Sequence, residues 1–358
     1  MNRLLIYGAN GYTGRLIARE AARRGLKPLL AGRNRDEIDA LAKETGLLRR
    51  VFDLDHPTDI ARNLDGVNVV LHCAGPFSKT AAPMLDACLN ANVHYLDITG
   101  EIGVFEACHR VHARAQHQGT VVLPGSGFDV VPTDCLAAML KKRLPDATSL
   151  VLAFEAGGGP SPGTAVTSVE GMAQGGRARI GGDIVSVPLA WKTREFLRDG
   201  KPRTAMTIPW GDVFTAFVST GIPNIETYMA VPPKTIARLR WMRHIQPLLA
   251  LRPVQNFMKR RVLAATPGPS EQRRRDTGCH VWGEVRNPAG KQVGLELETP
   301  NGYDLTVSAS LGIAEHLLGR TSAPAGGYFT PSQMMGADYV LKLPGVRLIE
   351  PAQVAVSA

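Results

Sequence analysis

A glycine-rich turn near the start of the chain has the spacing of a phosphate-binding turn. Gly8, Gly11 and Gly14 recur between a short apolar run and an amphipathic stretch. Glycine lets the backbone approach a pyrophosphate closely, and the N–H groups and dipole at a helix start favour its negative charge. Glycines also serve ordinary turns, but this position between a strand and a helix predicts dinucleotide binding. The residues expected to contact the cofactor here are Gly8, Asn10, Gly11, Tyr12, Thr13 and Gly14.

The segment after the second apolar run indicates which dinucleotide binds. NAD enzymes place an acid there to bond the ribose 2′-hydroxyl, whereas this chain has Arg33, Asn34 and Arg35. Guanidinium groups suit a 2′-phosphate, which arginine binds through two parallel hydrogen bonds. Asp36 and Glu37 follow in the first turn of the next predicted helix, where acids favour the helix dipole. The pattern predicts NADP(H) in preference to NAD(H); the alternative is two solvated arginines at a helix start.

Two further segments follow strands of the same predicted sheet. Asp53 either accepts a hydrogen bond from the adenine amino group or caps a helix that begins near Pro57. A small turn follows the fourth apolar run, at the carboxyl edge where such sheets bind ligands. It would let the nicotinamide ribose pass closely, and its residues are Ala74, Gly75, Pro76 and Phe77. Cys73 beside it is predicted to be a packed thiol, because no neighbouring group would lower its pKa.

No residue is assigned as catalytic from the sequence. Hydride transfer requires a positioned cofactor and a proton donor. Candidate donors near the expected pocket are Lys79, Tyr95, Asp97, Glu101 and Asp129. Each has a structural alternative, since loop lysines are solvated and aspartates end strands or stabilise turns.

The elements that must position these groups alternate along the first 130 residues. Apolar runs predict strands at 4–7, 29–31, 51–52, 67–71, 93–96 and 121–123. Amphipathic stretches predict helices over 11–24 and 35–44, and one further helix with Val104, Cys108, Val111 and Ala115 on a single face. Strands separated by helices imply crossover units and a Rossmann-type, doubly wound parallel sheet, the α/β fold class.

The composition and the hydrophobic pattern of the chain change after Pro132. Glycine and proline cluster at 157–163, and apolar residues alternate with others over 293–298, which predicts an antiparallel strand. Asp304 is predicted to be the N-cap of a helix that ends at Gly319. We therefore expect a Rossmann domain at 1–131. A second, α+β domain with a mixed or antiparallel sheet would cover 132–321.

The positive charge of the chain is confined to one segment. The formal net charge is +9, but residues 234–275 alone hold eleven Lys or Arg and one acid, Glu271. Three interpretations stay open for this basic segment: a face that contacts an anionic membrane through 234–261, a site for an acidic partner, or a solvated insertion. Pro247, Pro253 and Pro267 favour short helices over one long one. Nucleic acid is not expected, because few stacking aromatics accompany the arginines.

Composition excludes several classes of protein. Apolar residues make up 44% of the chain and charged residues 20%, as in globular proteins. No apolar run approaches the ~18 residues of a membrane span. The five cysteines lie at scattered spacings, and the N-terminus runs directly into an apolar strand. Both features predict a cytoplasmic protein, with contact at a membrane surface as the open alternative. No metal site is expected, because His109 and His112 lack the glutamate-bearing HExxH arrangement.

Short-chain dehydrogenases also use glycine-rich Rossmann turns, but they need a Tyr-x-x-x-Lys pair for proton transfer. None of the seven tyrosines is followed by lysine four positions later. The sequence therefore excludes that class.

Longer motifs resemble a known family. The chain is similar to saccharopine-dehydrogenase-like NADP-binding oxidoreductases, including the trans-acting enoyl reductases. The motifs that carry this resemblance are 8–14, 31–33, 75–77, Pro83, 87–88, 95–101 and 127–134, extended by Gly163-Thr164, Gly302-Tyr303 with Thr306, and 326–331. Many relatives have an aromatic residue and an acid where this chain has Thr80 and Ala82, and the basic segment has no counterpart that can be aligned.

The resemblance implies NADP(H) chemistry on a C=N or C=C bond, a second domain that carries the dimer contact and the substrate pocket, and a homodimer. It also implies that a C-terminal segment at about 322–350 returns to the Rossmann domain. We expect an NADP(H)-dependent oxidoreductase that acts on a small molecule of apolar or lipid-like character. The alternative is a protein that binds NADP(H) without turnover, as a sensor or a membrane-associated scaffold.

Overall fold

The computed structural model describes residues 3–319 and 325–350. Its first part alternates strands and helices. The strands are β1 (Leu4–Tyr7), β2 (Leu29–Gly32), β3 (Arg49–Val51), β4 (Val69–His72), β5 (His94–Asp97) and β6 (Val121–Leu123). The helices between and after them are α1 (Tyr12–Arg23), α2 (Arg35–Thr45), α3 (Pro57–Asn63), α4 (Phe77–Asn90), α5 (Ile102–Arg110), α6 (His112–His117) and α7 (Val131–Arg143).

The second part is richer in strands. Its strands are β7 (Ser149–Ala156), β8 (Gly176–Ile180), β9 (Asp183–Val187), β10 (Thr193–Arg198), β11 (Lys201–Thr207), β12 (Asn224–Ala230), β13 (Cys279–Arg286), β14 (Gln292–Thr299), β15 (Gly327–Tyr328) and β16 (Arg347–Ile349). Its helices are α8 (Pro162–Gln174), α9 (Asp212–Thr220), α10 (Pro233–Met242), α11 (Gln246–Leu249), α12 (Arg252–Ala265), α13 (Glu271–Arg275), α14 (Gly302–Leu318) and α15 (Pro331–Met335). Short 3-10 helices cover Arg243–Ile245 and Tyr339–Lys342.

The first sheet is a doubly wound parallel sheet, as the sequence predicts. Its strand order is β15-β6-β5-β4-β1-β2-β3, and every pair in it is parallel. The order reverses between β1 and β4, and ligands of such sheets bind at that switch point, beyond the carboxyl ends of the strands. The glycine-rich turn after β1 and the turn after β4 therefore meet at the switch point.

The second sheet is mixed, again as predicted. Its order is β10-β11-β12-β7-β13-β14-β16, and the β8–β9 hairpin joins it through β12. Only β12 and β7 run parallel among the described pairs, and the other pairs are antiparallel. The C-terminal segment contributes β15 to the first sheet and β16 to the second. The domain bounds of 1–131 and 132–321 stay a prediction. Residues 322–324 of the expected C-terminal segment lie outside the described residues.

Two details differ from the sequence predictions. The apolar face at 104–115 belongs to two helices, because α5 ends at Arg110 and α6 starts at His112. Asp304 is not the N-cap of α14; Asn301 is, and its side chain accepts a hydrogen bond from the Tyr303 amide. Asp304 instead lies in the first turn of that helix, where its charge favours the dipole.

The junction between the sheets is apolar and continuous. One buried cluster includes Leu96 of β5, Leu136 of α7 and Val281 of β13. Phe128, in the loop after β6, meets the ring of Phe154 of β7 edge-on at 5.8 Å between ring centroids. The loop after β6 is therefore fixed between the two sheets.

The basic segment connects β12 to β13 as a series of short helices. Proline lies in the first turn of α10, α11 and α12, which confirms the predicted short pieces. Among the helices of residues 3–319 and 325–350, none is both long and apolar enough to cross a bilayer.

Candidate nucleotide-binding site

The glycine-rich turn has backbone that requires glycine at two positions. Gly8 has a φ of +77°, and a Cβ there would lie 2.7 Å from the Ala74 backbone nitrogen. A Cβ on Gly14 would lie 2.2 Å from the Gly8 carbonyl oxygen. Gly11, at the N-cap of α1, is exposed and has no side chain to cover the amides behind it. The turn therefore packs tightly against the neighbouring loop while the helix N-terminus stays open to a ligand.

The residues after β2 leave their cationic groups uncovered. Arg33 and Arg35 are exposed, and neither forms an ion pair or hydrogen bond with another residue in the described part of the chain. Asn34 is the N-cap of α2, where its side chain accepts from the Glu37 amide. By contrast, Arg19 of α1 pairs with Glu44. The two guanidinium groups thus stand at the end of β2 without a protein partner.

Glu37 ties the turn after β1 to the turn after β2. Its carboxylate accepts hydrogen bonds from Asn10 at 3.1 Å, Arg15 at 3.1 Å and Asn34 at 2.8 Å. The sequence identified this acid only as a partner of the helix dipole. Because its oxygens are occupied by three protein donors, it is not a free acceptor for a ribose 2′-hydroxyl.

Asp53 does not cap the next helix, so that alternative is wrong. The N-cap of α3 is His56, and the Asp53 carboxylate accepts from the Asp55 amide at 3.0 Å. The local turn occupies the side chain because Asp commonly bonds the backbone two residues on. Its predicted contact with adenine stays a prediction.

The turn after β4 is held from both sides. The Glu101 carboxylate accepts from the Phe77 amide at 2.9 Å and the Ser78 amide at 2.8 Å, which satisfies the start of α4. The Thr80 hydroxyl donates to the Ala74 carbonyl at 2.6 Å. Glu101 therefore serves this turn, and burial raises the pKa of its carboxyl group. Lys79 lies exposed in the first turn of α4.

His72 supports the same turn from beneath. Its imidazole is fully buried and bonds the Thr80 hydroxyl at 3.0 Å, and burial lowers its pKa to about 3. Because Thr80 donates to Ala74, the imidazole Nε2–H donates to Thr80. The ring is therefore neutral near pH 7. Cys73 is a packed thiol, as predicted, and burial raises its pKa.

Tyr95 and Asp97 form a buried structural pair. The Tyr95 hydroxyl donates to Asp97 at 2.8 Å, and the same carboxylate accepts from the amides of Thr99 and Gly125. Burial raises the pKa of Asp97 to about 6 despite these bonds. Both side chains are fully buried and hold the loops after β5 and β6. These contacts account for both residues without a role in proton transfer.

Asp129 differs from the other candidates because its carboxylate has no hydrogen-bond partner among the described residues. It lies against Gly100, where a Cβ would be 3.2 Å from Oδ2. Gly100 precedes Glu101, which holds the turn after β4. The Trp210 indole donates to the Asp129 carbonyl at 2.9 Å and fixes the loop. Burial raises the pKa of Asp129 to about 7.

Asp212 is a feature that sequence reasoning missed. It is fully buried at the start of α9, and neither carboxylate oxygen has a hydrogen-bond partner of normal geometry in the described residues. Burial and the nearby Asp134 and Asp129 raise its pKa well above the usual range. Burial therefore favours the protonated form of this carboxyl group. No local motif marks it, because its neighbours come from α7 and the loop after β6.

Asp134 joins two of the motifs that carry the family resemblance. Its carboxylate accepts from the Ser332 amide at 2.7 Å and from the Ser219 hydroxyl. Ser219 also bonds Thr330 at 2.7 Å. The motif after β6 thus anchors the C-terminal segment beside α9.

Tyr12 connects the glycine-rich turn to the second half of the chain. Its hydroxyl donates to the Pro269 carbonyl at 2.6 Å and accepts from Arg274 at 3.2 Å. Arg274 also pairs with Asp304 at 3.0 Å. The Tyr12 ring meets the Tyr303 ring edge-on at 4.9 Å between centroids. The end of the basic segment therefore lies against α1, and the Tyr12 side chain is committed to that contact.

Tyr303 brings further motif residues to the same place. Its hydroxyl accepts from the Ser161 amide and lies 3.4 Å from the Thr164 hydroxyl, at the start of α8. Thr306, one turn along α14, accepts from the Phe128 amide at 2.9 Å. Motifs that are distant in sequence thus meet around the carboxyl edge of the first sheet.

Two surface cavities lie away from these residues. One of about 280 Å³ is lined by residues that include Lys141 and Gln333, and one of about 450 Å³ by residues that include His109 and Phe214. No predicted site residue lines either cavity. The candidate site is defined by the strand ends and the turn contacts.

The sequence of the first domain matches a described family. Residues 4–123, about a third of the chain, match the family described as "Saccharopine dehydrogenase NADP binding domain". This match confirms the predicted resemblance and NADP(H) as the cofactor. The individual contacts predicted for Arg33, Arg35 and the glycine-rich turn are not tested by it.

Curated relatives cover a limited part of the chain. The "Saccharopine dehydrogenase-like oxidoreductase" of Bos taurus is 25% identical over 173 residues, which cover 42% of this chain and 40% of that protein. The "Trans-acting enoyl reductase" of Mycobacterium ulcerans is 28% identical over 186 residues, covering 47% and 44%. The matched region thus spans less than half the length of these relatives.

Solved structures share the fold over nearly the whole chain. Saccharopine dehydrogenase (L-Glu forming) from Saccharomyces cerevisiae has a TM-score of 0.65 at 10% identity, covering 98% of this chain and 100% of that one. Homospermidine synthase from Legionella pneumophila, in complex with NAD, has a TM-score of 0.65 at 12% identity, covering 98% and 91%. At these identities the likeness shows the fold alone. It confirms the predicted architecture of a Rossmann-like sheet with a second mixed sheet.

Proposed function

We propose that this protein is an NADP(H)-dependent oxidoreductase that transfers a hydride to or from a C=N or C=C bond of an apolar or lipid-like small molecule. The observation that carries the proposal is the juxtaposition of an NADP-binding sheet with the unpartnered carboxyl group of Asp129. The names of the relatives, which include oxidoreductases and an enoyl reductase, support the same reaction class.

In the reducing direction, the chemistry requires one hydride and one proton. Bound NADPH would supply the hydride to the substrate carbon, and the protein must supply a proton to the other atom of the double bond. The open N-terminus of α1 would hold the pyrophosphate, and Arg33 and Arg35 would hold the 2′-phosphate. The turn at Gly75 would hold the nicotinamide ribose.

Asp129 is the proton donor in this proposal. A donor must be protonated at the working pH and free of competing protein acceptors. Its pKa, raised to about 7 by burial, meets the first requirement, and its lack of a partner among the described residues meets the second. Tyr95 and Asp97 are engaged with one another, and Lys79 lies in the solvent.

The test is NADPH oxidation over a panel of enoyl thioesters, unsaturated fatty aldehydes and cyclic imines, with NADH in parallel. We expect turnover with at least one member and a strong preference for NADPH. Tight NADPH binding with no turnover over the whole panel would overturn the proposal in favour of the sensor or scaffold alternative.

A second measurement tests Asp129. In the reducing direction the wild-type rate should fall as the pH rises through about 7, because the donor loses its proton. Asp129→Asn should lower the turnover rate by about 10²–10⁴ and remove this pH dependence, with NADPH affinity unchanged. Asp97→Asn serves as the comparison. A wild-type pH profile in Asp129→Asn would exclude Asp129 as the donor.

We also infer a homodimer through the second domain and a cytoplasmic location. The first follows from the family resemblance, and sedimentation velocity would check it. The second follows from the scattered cysteines, and fractionation of the source cells would check it.

A further inference from the structure

The basic segment presents an exposed face that the fold does not use. We define the basic face as the exposed cationic and large apolar side chains of α10, α11 and α12 and of the residues between them. Its members are Lys234, Arg238, Trp241, Leu248, Leu251, Arg252, Phe257, Arg260, Arg261 and Leu263. Trp241 and Phe257 are 62% and 60% exposed, which is unusual for large aromatic side chains.

On α10 the face follows the helical repeat. Lys234, Arg238 and Trp241 are separated by four and three residues, so they lie on one side of the helix. Ile236 is buried on the opposite side of the helix, and Met242, at its flank, is also buried. The helix therefore packs onto the body of the protein and turns a mixed cationic and aromatic side outward.

On α12 the same arrangement recurs. Arg260 and Arg261 lie three and four residues after Phe257, and all three side chains are exposed. The Arg261 guanidinium lies 5.9 Å from the centre of the Phe257 ring. The opposite side faces α8, where Lys259 pairs with Glu170 and the Gln255 amide bonds the Val169 carbonyl. Leu248 and Leu251 lie between α10 and α12 in the sequence, and both are exposed.

The charges of this face are uncompensated. Residues 234–265 contain eight Lys or Arg and no acid. Three of the eight contact the body of the protein: Arg240, Arg243 and Lys259. The five cations of the basic face have no acidic partner among the described residues.

We propose that the basic face binds the surface of a bilayer that contains anionic lipids. Cationic groups attract acidic headgroups, while Trp, Phe and Leu side chains enter the boundary between headgroups and acyl chains. Arginine and lysine side chains extend their charged ends toward the headgroups while their stems cover apolar surface. A purely acidic protein would satisfy the charges but leave the leucines exposed. The binding is peripheral, since no described helix could cross the bilayer.

Docking in this way would place α8 close to the lipid, because α8 packs against α11 and α12. Its N-terminus bonds Tyr303, which contacts Tyr12 beside the nucleotide turn. The membrane contact is independent of the proposed reaction, so either can fail without the other.

Co-sedimentation with lipid vesicles tests the proposal on the full chain. We expect binding to vesicles of phosphatidylcholine with 30% phosphatidylserine on the order of tenfold or more tighter than to pure phosphatidylcholine, and weakening as salt rises. Equal binding to both compositions, or no binding to either, would overturn it.

Charge variants identify the surface. Arg238→Gln, Arg260→Gln and Arg261→Gln together should weaken binding to the anionic vesicles by about tenfold or more. A control with the same loss of charge at exposed positions outside the face should bind almost as the wild type does. That control combines Lys27→Gln, Arg110→Gln and Lys201→Gln. Equal loss in both variants would mean that net charge, and not this face, binds the vesicles.

Apolar variants separate insertion into the bilayer from a purely electrostatic contact with its surface. Leu248→Ser with Leu251→Ser removes apolar surface without altering charge, and it should weaken vesicle binding by about tenfold. Leu48→Ser with Leu197→Ser is the matched control, because those leucines are 66% and 62% exposed outside the face. Unchanged binding in the face variant would overturn insertion and leave a purely electrostatic contact. Circular dichroism and NADPH affinity, expected to match the wild type, confirm that each variant is folded.

Discussion

The two arginines after β2 and the cations of the basic face are alike in exposure and in lacking acidic partners, but their neighbours differ. Arg33 and Arg35 stand beside a turn whose backbone is fixed, because the amides of Gly8 and Ala9 both donate to the Ala31 carbonyl. The cations of the basic face are spread along several short helices and alternate with exposed aromatic and aliphatic side chains.

The difference shows that the surroundings of a guanidinium decide what it can recognise. Two arginines close in sequence beside a fixed turn can converge on one small dianion. Cations dispersed among apolar side chains offer no single focus, and suit an extended anionic surface with an apolar interior. The following predictions perturb the nucleotide-binding region, and the first two also ask whether vesicle binding through the basic face is unaffected.

The largest effect is expected from Gly14→Ala. The added Cβ would collide with the Gly8 carbonyl oxygen at 2.2 Å, so the turn must open and its amides must move. We expect both NADPH and NADH affinity to fall by more than about 100-fold, roughly 3 kcal/mol, while vesicle binding stays unchanged. Fluorescence titration measures the first and co-sedimentation the second. Gly171→Ala in α8 is the control, because nothing lies within 4 Å of a Cβ added there. Normal nucleotide affinity in Gly14→Ala would contradict the proposed pyrophosphate site.

Replacing Arg33 and Arg35 by Ala should distinguish the two nucleotides. Loss of charged hydrogen bonds to the 2′-phosphate should weaken NADPH binding by about 1–3 kcal/mol for each arginine and leave NADH nearly unchanged. The same titration measures both, and the vesicle assay should show no difference. Arg62→Ala, at an exposed arginine of α3, is the control. Equal losses for the two nucleotides would refute 2′-phosphate recognition by this pair.

Acid should lower the stability of the nucleotide-binding sheet without changing the charge of Lys and Arg on the basic face. His72 has a folded-state pKa of about 3, below its ordinary value. Its stabilisation is therefore complete above pH ~6.5 and is lost as the pH falls toward 3. At pH 4.5 this group should account for about 2–3 kcal/mol of lost stability.

His72→Gln, which keeps a donor for Thr80, should remove that part of the acid sensitivity. Urea unfolding of both proteins at pH 7 and pH 4.5 measures the difference. The same pH-dependent loss of stability in the variant and the wild type would show that His72 is not the group responsible.

The smallest effect is expected from Glu37→Gln. The substitution weakens the bonds to Asn10 and Arg15 and should lower the affinity for both nucleotides equally, by about 1 kcal/mol or less. The neighbouring exposed acid gives the control Asp36→Asn. A selective loss of NADH affinity would instead identify Glu37 as a ribose ligand and would weaken the distinction between the two regions.

Contiguous patterns made the first sheet predictable. The strand β1, the glycines after it and the arginines after β2 lie within 35 residues, and their meaning depends on local spacing. The helix end at Gly319 and the antiparallel strand at 293–298 were equally local. The N-cap of α14 was predicted wrongly because Asn301 and Asp304 are both good caps, and their residue types do not decide between them.

Contacts between distant residues were not predictable. Tyr12 and Pro269 are 257 residues apart, and no local pattern announces their hydrogen bond. The orphaned Asp212 and the His72–Thr80–Ala74 chain depend in the same way on which strands and helices become neighbours. Their residue types are common in ordinary cores and turns, so only the assembled fold gives them a role.

Strand β7 has β12 on one side and β13 on the other, and this arrangement determines where the basic segment leaves and re-enters the sheet. Met229 pairs with Phe154, and Cys279 pairs with Ala156, so both connections emerge at the same end of β7. Two inter-strand spacings amount to about 10 Å. The basic segment therefore begins and ends about 10 Å apart, and its helices form an excursion that leaves the strand order of the second sheet unchanged.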